Sequence, residues 1–207
     1  MDDMRRRLLP AVLALASAAC ATALFAQSPR VTPDMVQTGS DIPAHWEEPH
    51  PGYDYQRREV MIPMRDGVKL HTVILVPNGA HGLPMLLERT PYNADQFTSD
   101  KPKMRDAVWP AQREWVDDGY IIVDQDIRGK YGSEGDYVMT RPPIGPLNPS
   151  KTDDTTDAYD TIDWLVKNVP ESNGRVGMLG SSKVGFPVVL ALLGTHPAMK
   201  VAARESP

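Results

Sequence analysis

The sequence predicts an α/β fold: a mainly parallel, helix-covered sheet set behind an N-terminal antiparallel hairpin. Three observations carry that expectation. From residue 84 onward, short β-rich runs alternate with segments of helical periodicity, the pattern of parallel strands joined by crossover helices. Ahead of them, two β-rich runs flank Arg65-Asp66-Gly67, and an Asp-Gly pair in that position is a hairpin signal. Finally, the apolar run Arg175-Val176-Gly177-Met178-Leu179 leads directly into Gly180-Ser181-Ser182-Lys183-Val184-Gly185, a strand ending in small residues before a helix.

The chain of 207 residues opens with Arg5-Arg6-Arg7, an apolar stretch over 8–25 and a small-residue site at Ala26-Gln27. A charged, then apolar, then small-residue order reads as a secretory signal peptide over 1–26, with Ala21-Thr22-Ala23 as an alternative cut. Pro10 and the many alanines make the stretch a poor membrane span, and Ser17 disfavours a lipoprotein cut before Cys20. The protein is therefore expected to be exported, periplasmic or secreted, with no membrane association after cleavage. Cys20 is the only cysteine, so the processed chain has neither a disulfide nor a thiol nucleophile. Residues 27–54 are Pro-rich and polar and are expected to form an extended arm. Residues 55–207 form the folded domain.

Within that domain, the hairpin strands are expected at 59–64 and 68–76, closed by Asn78-Gly79. A short strand at 84–88 ends at Arg89-Thr90-Pro91-Tyr92. Residues 95–106 read as polar and irregular. A helix follows at 110–117, with proline tolerated in its first turn. Gly119 stops it before a buried-type strand at 120–123. Residues 124–135 form a glycine-rich loop, and 140–152, with four prolines, read as a surface excursion. Asp153 and Asp154 open the clearest helix, with Ala158, Ile162, Leu165, Val166 and Val169 at helical spacing. Asn173-Gly174 is expected to end it. The strand before Gly180 comes next, then a helix over 183–193 that starts irregularly because Pro187 removes a hydrogen bond. Gly194 stops that helix, and a strand lies at 201–203. Trp109, Trp115 and Trp164 read as core packing.

Composition narrows the function. A net charge of −5 with no basic stripe gives nucleic-acid binding no support. The 129–135 loop lacks the lysine-serine pattern of a phosphate cradle. Asp124, Asp126, Asp153, Asp154 and Asp157 invite a cation site, but Asp126 and Arg128 are better read as loop supports and the later aspartates as helix caps. No metal and no cofactor are expected. The serine at the strand-to-helix turn fits a nucleophile elbow, where glycine allows a turn too tight for a side chain. Ser182 is the candidate nucleophile; a plain helix N-cap is the structural alternative.

Four segments together resemble one family: Met64-Arg65-Asp66-Gly67-Val68-Lys69-Leu70, Arg89-Thr90-Pro91-Tyr92, the stretch 125–135, and Gly180-Ser181-Ser182 with Gly185-Phe186. The combination is similar to the X-Pro dipeptidyl-peptidase and cocaine-esterase group of α/β-hydrolases. Within it, 125–137, 161–168 and Glu205-Ser206-Pro207 most resemble α-amino-acid ester hydrolases. The resemblance runs from about residue 40 to the end. It implies an α/β-hydrolase fold and an acyl-enzyme mechanism on α-amino-acid esters or β-lactam side-chain amides. By the same resemblance Ser182 attacks, and the Lys183 backbone N–H and the Tyr92 hydroxyl hold the oxyanion. It implies a small-molecule ester or amide substrate and no cofactor, and is compatible with a homo-oligomer. A cephalosporin acylase or an X-Pro peptidase is the alternative within the group.

Three positions depart from the ester-hydrolase pattern. Lys183 and Val184 replace a tyrosine and an acidic residue, and Arg204 replaces proline. Lys183 cannot form a Ser-Lys dyad with the adjacent serine, because neighbouring side chains do not face each other. Triad order in this fold is Ser, Asp, His, yet no aspartate follows Ser182. His196 reads as a surface, cap-like histidine, and His45, His50, His71 and His81 precede the elbow. The expectation is a hydrolase portion ending before its C-terminal strands, with a catalytically inactive fragment as the alternative reading.

Overall fold

The computed structural model describes residues 55–99 and 101–206. All of them belong to one compact unit, Pro49–Pro207. The signal peptide, the arm, Cys20, His45 and His50 lie outside the described residues.

Strand β1 (Tyr55–Pro63) and β2 (Lys69–Pro77) form the expected hairpin. Its turn needs glycine, since Gly67 sits at φ 87°. The Gly67 amide bonds Met64 O, and Asp66 accepts from the Val68 amide. Strand β3 (Leu83–Thr90) follows. Next come two one-turn helices, α1 (Ala94–Phe97) and α2 (Met104–Ala107), where an irregular segment was expected. Single turns are too short to register as periodicity. They form here because tertiary contacts hold them: Asn93 caps α1, and Thr98 Oγ1 donates back to Ala94 O.

The expected 110–117 helix starts as a 3₁₀ turn, Pro110–Gln112, and continues as α3 (Arg113–Asp117). Strand β4 (Ile121–Asp126) is buried along its whole length. The 136–152 stretch carries no helix or strand, as its prolines imply. Helix α4 (Asp154–Asn168) begins with a capping box, Asp153 accepting from the Thr156 amide while the Asp153 amide donates to Thr156 Oγ1. It ends ahead of Pro170 rather than at Asn173-Gly174, because the residue before a proline disfavours helix. Those two residues sit inside β5 (Ser172–Ser181), with Gly174 at φ 72°.

Beyond β5 lie a 3₁₀ turn at Ser182–Val184, helix α5 (Gly185–Ala191), a second 3₁₀ turn at Leu192–Gly194, and β6 (Met199–Glu205). Pro187 falls in the first turn of α5, where its missing N–H costs no helical bond.

The six strands lie in the order β1-β2-β4-β3-β5-β6. β2 runs antiparallel to both neighbours, and β4, β3, β5 and β6 run parallel. Strand residues alternate between the two faces. One face, with Ile74, Leu87, Val123 and Met178, packs against Ile162, Leu165 and Val188 of α4 and α5. The other, with Val73, Leu75 and Ile122, packs against Met104, Ala107 and Val116. Burial on both faces explains why β2 and β4 read as continuous apolar runs. No helix among the described residues is long and apolar enough to cross a membrane.

Candidate active site

β5 ends at Ser181, and the chain turns at once. Ser182 adopts φ 53°, the left-handed region, without being glycine. Such strain costs about 1–3 kcal/mol and persists only where the surroundings enforce it. The cause lies two residues back. A Cβ on Gly180 would lie 2.4 Å from Val184 O, so the returning chain can pass only over a bare backbone. The second glycine, Gly185, sits one position beyond the usual place, and Val184, at the usual place, is simply buried. Ser182 itself is exposed. The Lys183 amide lies in the first turn of the 3₁₀ segment, where N–H groups lack an intrahelical acceptor.

Tyr92 follows the end of the adjacent strand. Its amide donates to Thr90 Oγ1 at 3.0 Å. Asn93 turns the chain at φ 80°, and the Ala94 amide is pinned by Asp126 Oδ1 at 2.8 Å. β3 pairs in parallel with β5 through Leu87 and Met178, so the segment carrying Tyr92 and the elbow leave the same end of adjacent strands. Tyr92, 49% exposed, shares a cavity of about 490 Å³ with Gly180, Ser181 and Val184. The structure thus brings Tyr92 and the elbow to one opening.

Trp109 and Phe97 also line that cavity and meet edge-on, with ring centroids 5.3 Å apart. Trp109 is 52% exposed, which corrects its reading as core; Trp115 and Trp164 are partly buried against the two cores. The Lys183 ammonium points elsewhere, donating to Met139 O at 2.7 Å.

Sequence reasoning missed Glu88, which lines the same cavity. Its Cα is paired with that of Asp124 across β3 and β4. Burial pushes the Glu88 carboxyl up to about 7, against the pull of a Gln112 hydrogen bond. Asp124 is also pushed well up, by complete burial and then by the Glu88 charge. Gln112 Nε2 donates to Asp124 Oδ1 at 3.2 Å. Only strand register places the two acids together, so no local motif marks them.

The histidines lie away from the elbow. His71 is buried, with Nδ1 at 3.0 Å from Asp126 Oδ2. It sits on β2, three strands from β5 and so about 14 Å across the sheet. His81 precedes β3 at the opposite sheet edge. His196, expected at the surface, is 8% exposed. It meets the Tyr159 ring edge-on, with centroids 4.6 Å apart, and approaches Asp163 at 3.6 Å. It precedes β6, whose parallel pairing with β5 puts it roughly 20 Å of strand from Ser182.

Asp126 does support the loop, accepting from the Ala94 and Gly132 amides. Arg128 joins Asp66 to Asp157, and Asp153 caps α4. Among the described residues, no three His, Cys, Asp or Glu side chains are grouped to hold a metal ion.

Comparison with known proteins identifies the family. The sequence profile of the X-Pro dipeptidyl-peptidase (S15 family) matches residues 66–207. The structure is similar to that of an α-amino acid ester hydrolase: 57% identity, TM-score 0.71, covering 86% of this chain and 28% of that one. It is also similar to an aminopeptidase from a marine sediment Thaumarchaeota archaeon: 48% identity, TM-score 0.70, covering 82% of this chain and 28% of that one. The cocaine esterase of Rhodococcus sp. (strain MB1 Bresler) is 37% identical over 126 residues, which are 61% of this chain and 19% of that protein. The chain therefore spans less than a third of each of these relatives.

Proposed function

We propose that this chain, which belongs to the X-Pro dipeptidyl-peptidase (S15) family, is a serine hydrolase of esterase type with Ser182 as its acyl-transfer nucleophile. The single observation that carries this reading is the strained left-handed φ of an exposed serine, enforced by Gly180. Ser182 Oγ attacks an ester or amide carbonyl, forming an acyl-enzyme and releasing the alcohol or amine. The Lys183 amide and the Tyr92 hydroxyl donate to the oxyanion. Similarity to the α-amino acid ester hydrolase supports α-amino-acid esters as substrates, and the resemblance of the sequence motifs to that group adds β-lactam side-chain amides. The aminopeptidase neighbour keeps a peptide-amide substrate as the competing class. Relative rates on a D-phenylglycine ester and an X-Pro amide separate the two.

None of the described histidines stands at the elbow, and no aspartate follows Ser182. The late position of the second glycine, Gly185, favours a second reading, in which Gly180 and Ser182 build an ordinary strand-to-helix turn with no reactivity. A fluorophosphonate probe tests the first reading. It is expected to label Ser182 in the folded chain and not in Ser182→Ala. An unlabelled but folded wild-type chain overturns it.

A further inference from the structure

Lys183 stands next to the candidate nucleophile, yet its charge does not enter the cavity. Its ammonium donates to Met139 O at 2.7 Å and lies 4.7 Å from the centre of the Phe186 ring. Both contacts are directed, and together they commit Nζ. Met139 belongs to the excursion that precedes α4. Burial does not hold it there: Met139 is 66% exposed and Val138 44%. On one side of this stretch, the Lys130 ammonium sits 4.3 Å from the Tyr137 ring and Arg141 donates to Asp136 O. On the other, the Ile144 amide is held by Asp153, and Asn148 donates to Pro142 O and Thr152 O. Residues 138–140 form the span between these anchors, and Lys183 meets that span at its centre.

We propose that Lys183 is a positioning residue: its side chain fastens the 138–140 span to the elbow, and the same residue's backbone offers the oxyanion donor. This rests on reading Ser182 as the nucleophile. A charge-assisted bond to a carbonyl is stronger than a neutral one. Because donor amide and tether belong to one residue, any movement of the span reaches the 3₁₀ turn through a single side chain. The substitution at 183 then acts as a strut rather than as a base or a cationic subsite.

The test uses the full chain with Lys183→Met, which keeps length but loses the donor, and Lys183→Arg, which keeps a donor. The Gly185 amide, which bonds Ser182 O in the 3₁₀ turn that the tether restrains, is expected to exchange about tenfold faster in Lys183→Met and to return towards wild type in Lys183→Arg. Exchange in β3, β4 and α4 should stay unchanged, which shows that the variant is folded. Unaltered exchange at Gly185 overturns the tether. Fluorophosphonate labelling of Ser182 is expected to slow about tenfold in Lys183→Met, with recovery in Lys183→Arg. Faster exchange with unaltered labelling overturns the positioning role. A wild-type chain that never labels refutes the nucleophile instead, while the exchange result still decides the tether.

Discussion

Glu88 is where burial and charge oppose each other most directly. Its carboxyl is raised from 4.5 to about 7 because the surrounding side chains exclude water. In the unfolded chain the same group ionises near 4.5, so folding is favoured below that pH. The advantage is lost as pH rises through about 7, by about 3 kcal/mol for this group. Urea unfolding at pH 5 and pH 8 is expected to show that loss together with the loss from Asp124, which is raised in the same direction, and Glu88→Gln to remove part of it; an unchanged difference in the variant would assign the effect elsewhere. Tyr92 makes a different demand. Half-exposed as it is, Tyr92→Phe should shift stability by less than about 0.5 kcal/mol while slowing reaction at Ser182 about 100- to 1000-fold. Equal rates would remove the phenol from the oxyanion site. Ser182 and Tyr92 could be proposed from the sequence because short local segments carry them. Glu88 was not, since its partner Asp124 becomes a neighbour only through the pairing of β3 with β4.

The elbow combines a strained residue with an enforced turn, and each half can be tested without substrate. Ser182→Gly should be about 1 kcal/mol more stable than Ser182→Ala, because glycine accepts φ 53°. Gly180→Ala should lower Tm by about 5–10 °C, since the added methyl meets the Val184 carbonyl and the turn must open. Equal Tm values in either comparison would mean the strain has been relieved elsewhere. The hairpin, α4 and the elbow could be read from turn chemistry, capping and periodicity. The helices α1 and α2 could not, because they depend on Asp126 and on packing under β2 and β4. The 3₁₀ entry to α5 was anticipated from Pro187, although the proline falls where the helix tolerates it.

At the level of the sheet, alternation of strands and helices announced parallel pairing but not its order. Placing β3 between β4 and β5 is what brings Tyr92 to the cavity that Gly180, Ser181 and Val184 also line, at the carboxyl ends of parallel strands where open α/β sheets bind ligands. The same order removes His71 from contention, and the direction of β6 removes His196. His196 was misread because its Gly-Thr-His-Pro context looks like a surface turn, whereas Tyr159 of α4 covers it. The central claim is geometric: Ser182 presents its hydroxyl to two donors on adjacent strand ends. A crystal structure of the fluorophosphonate adduct measures that directly. The account predicts phosphorus bonded to Ser182 Oγ, with one phosphonyl oxygen about 2.7–3.1 Å from both the Lys183 amide and the Tyr92 hydroxyl. An adduct on another residue, or a phosphonyl oxygen turned to solvent away from Tyr92, would contradict it.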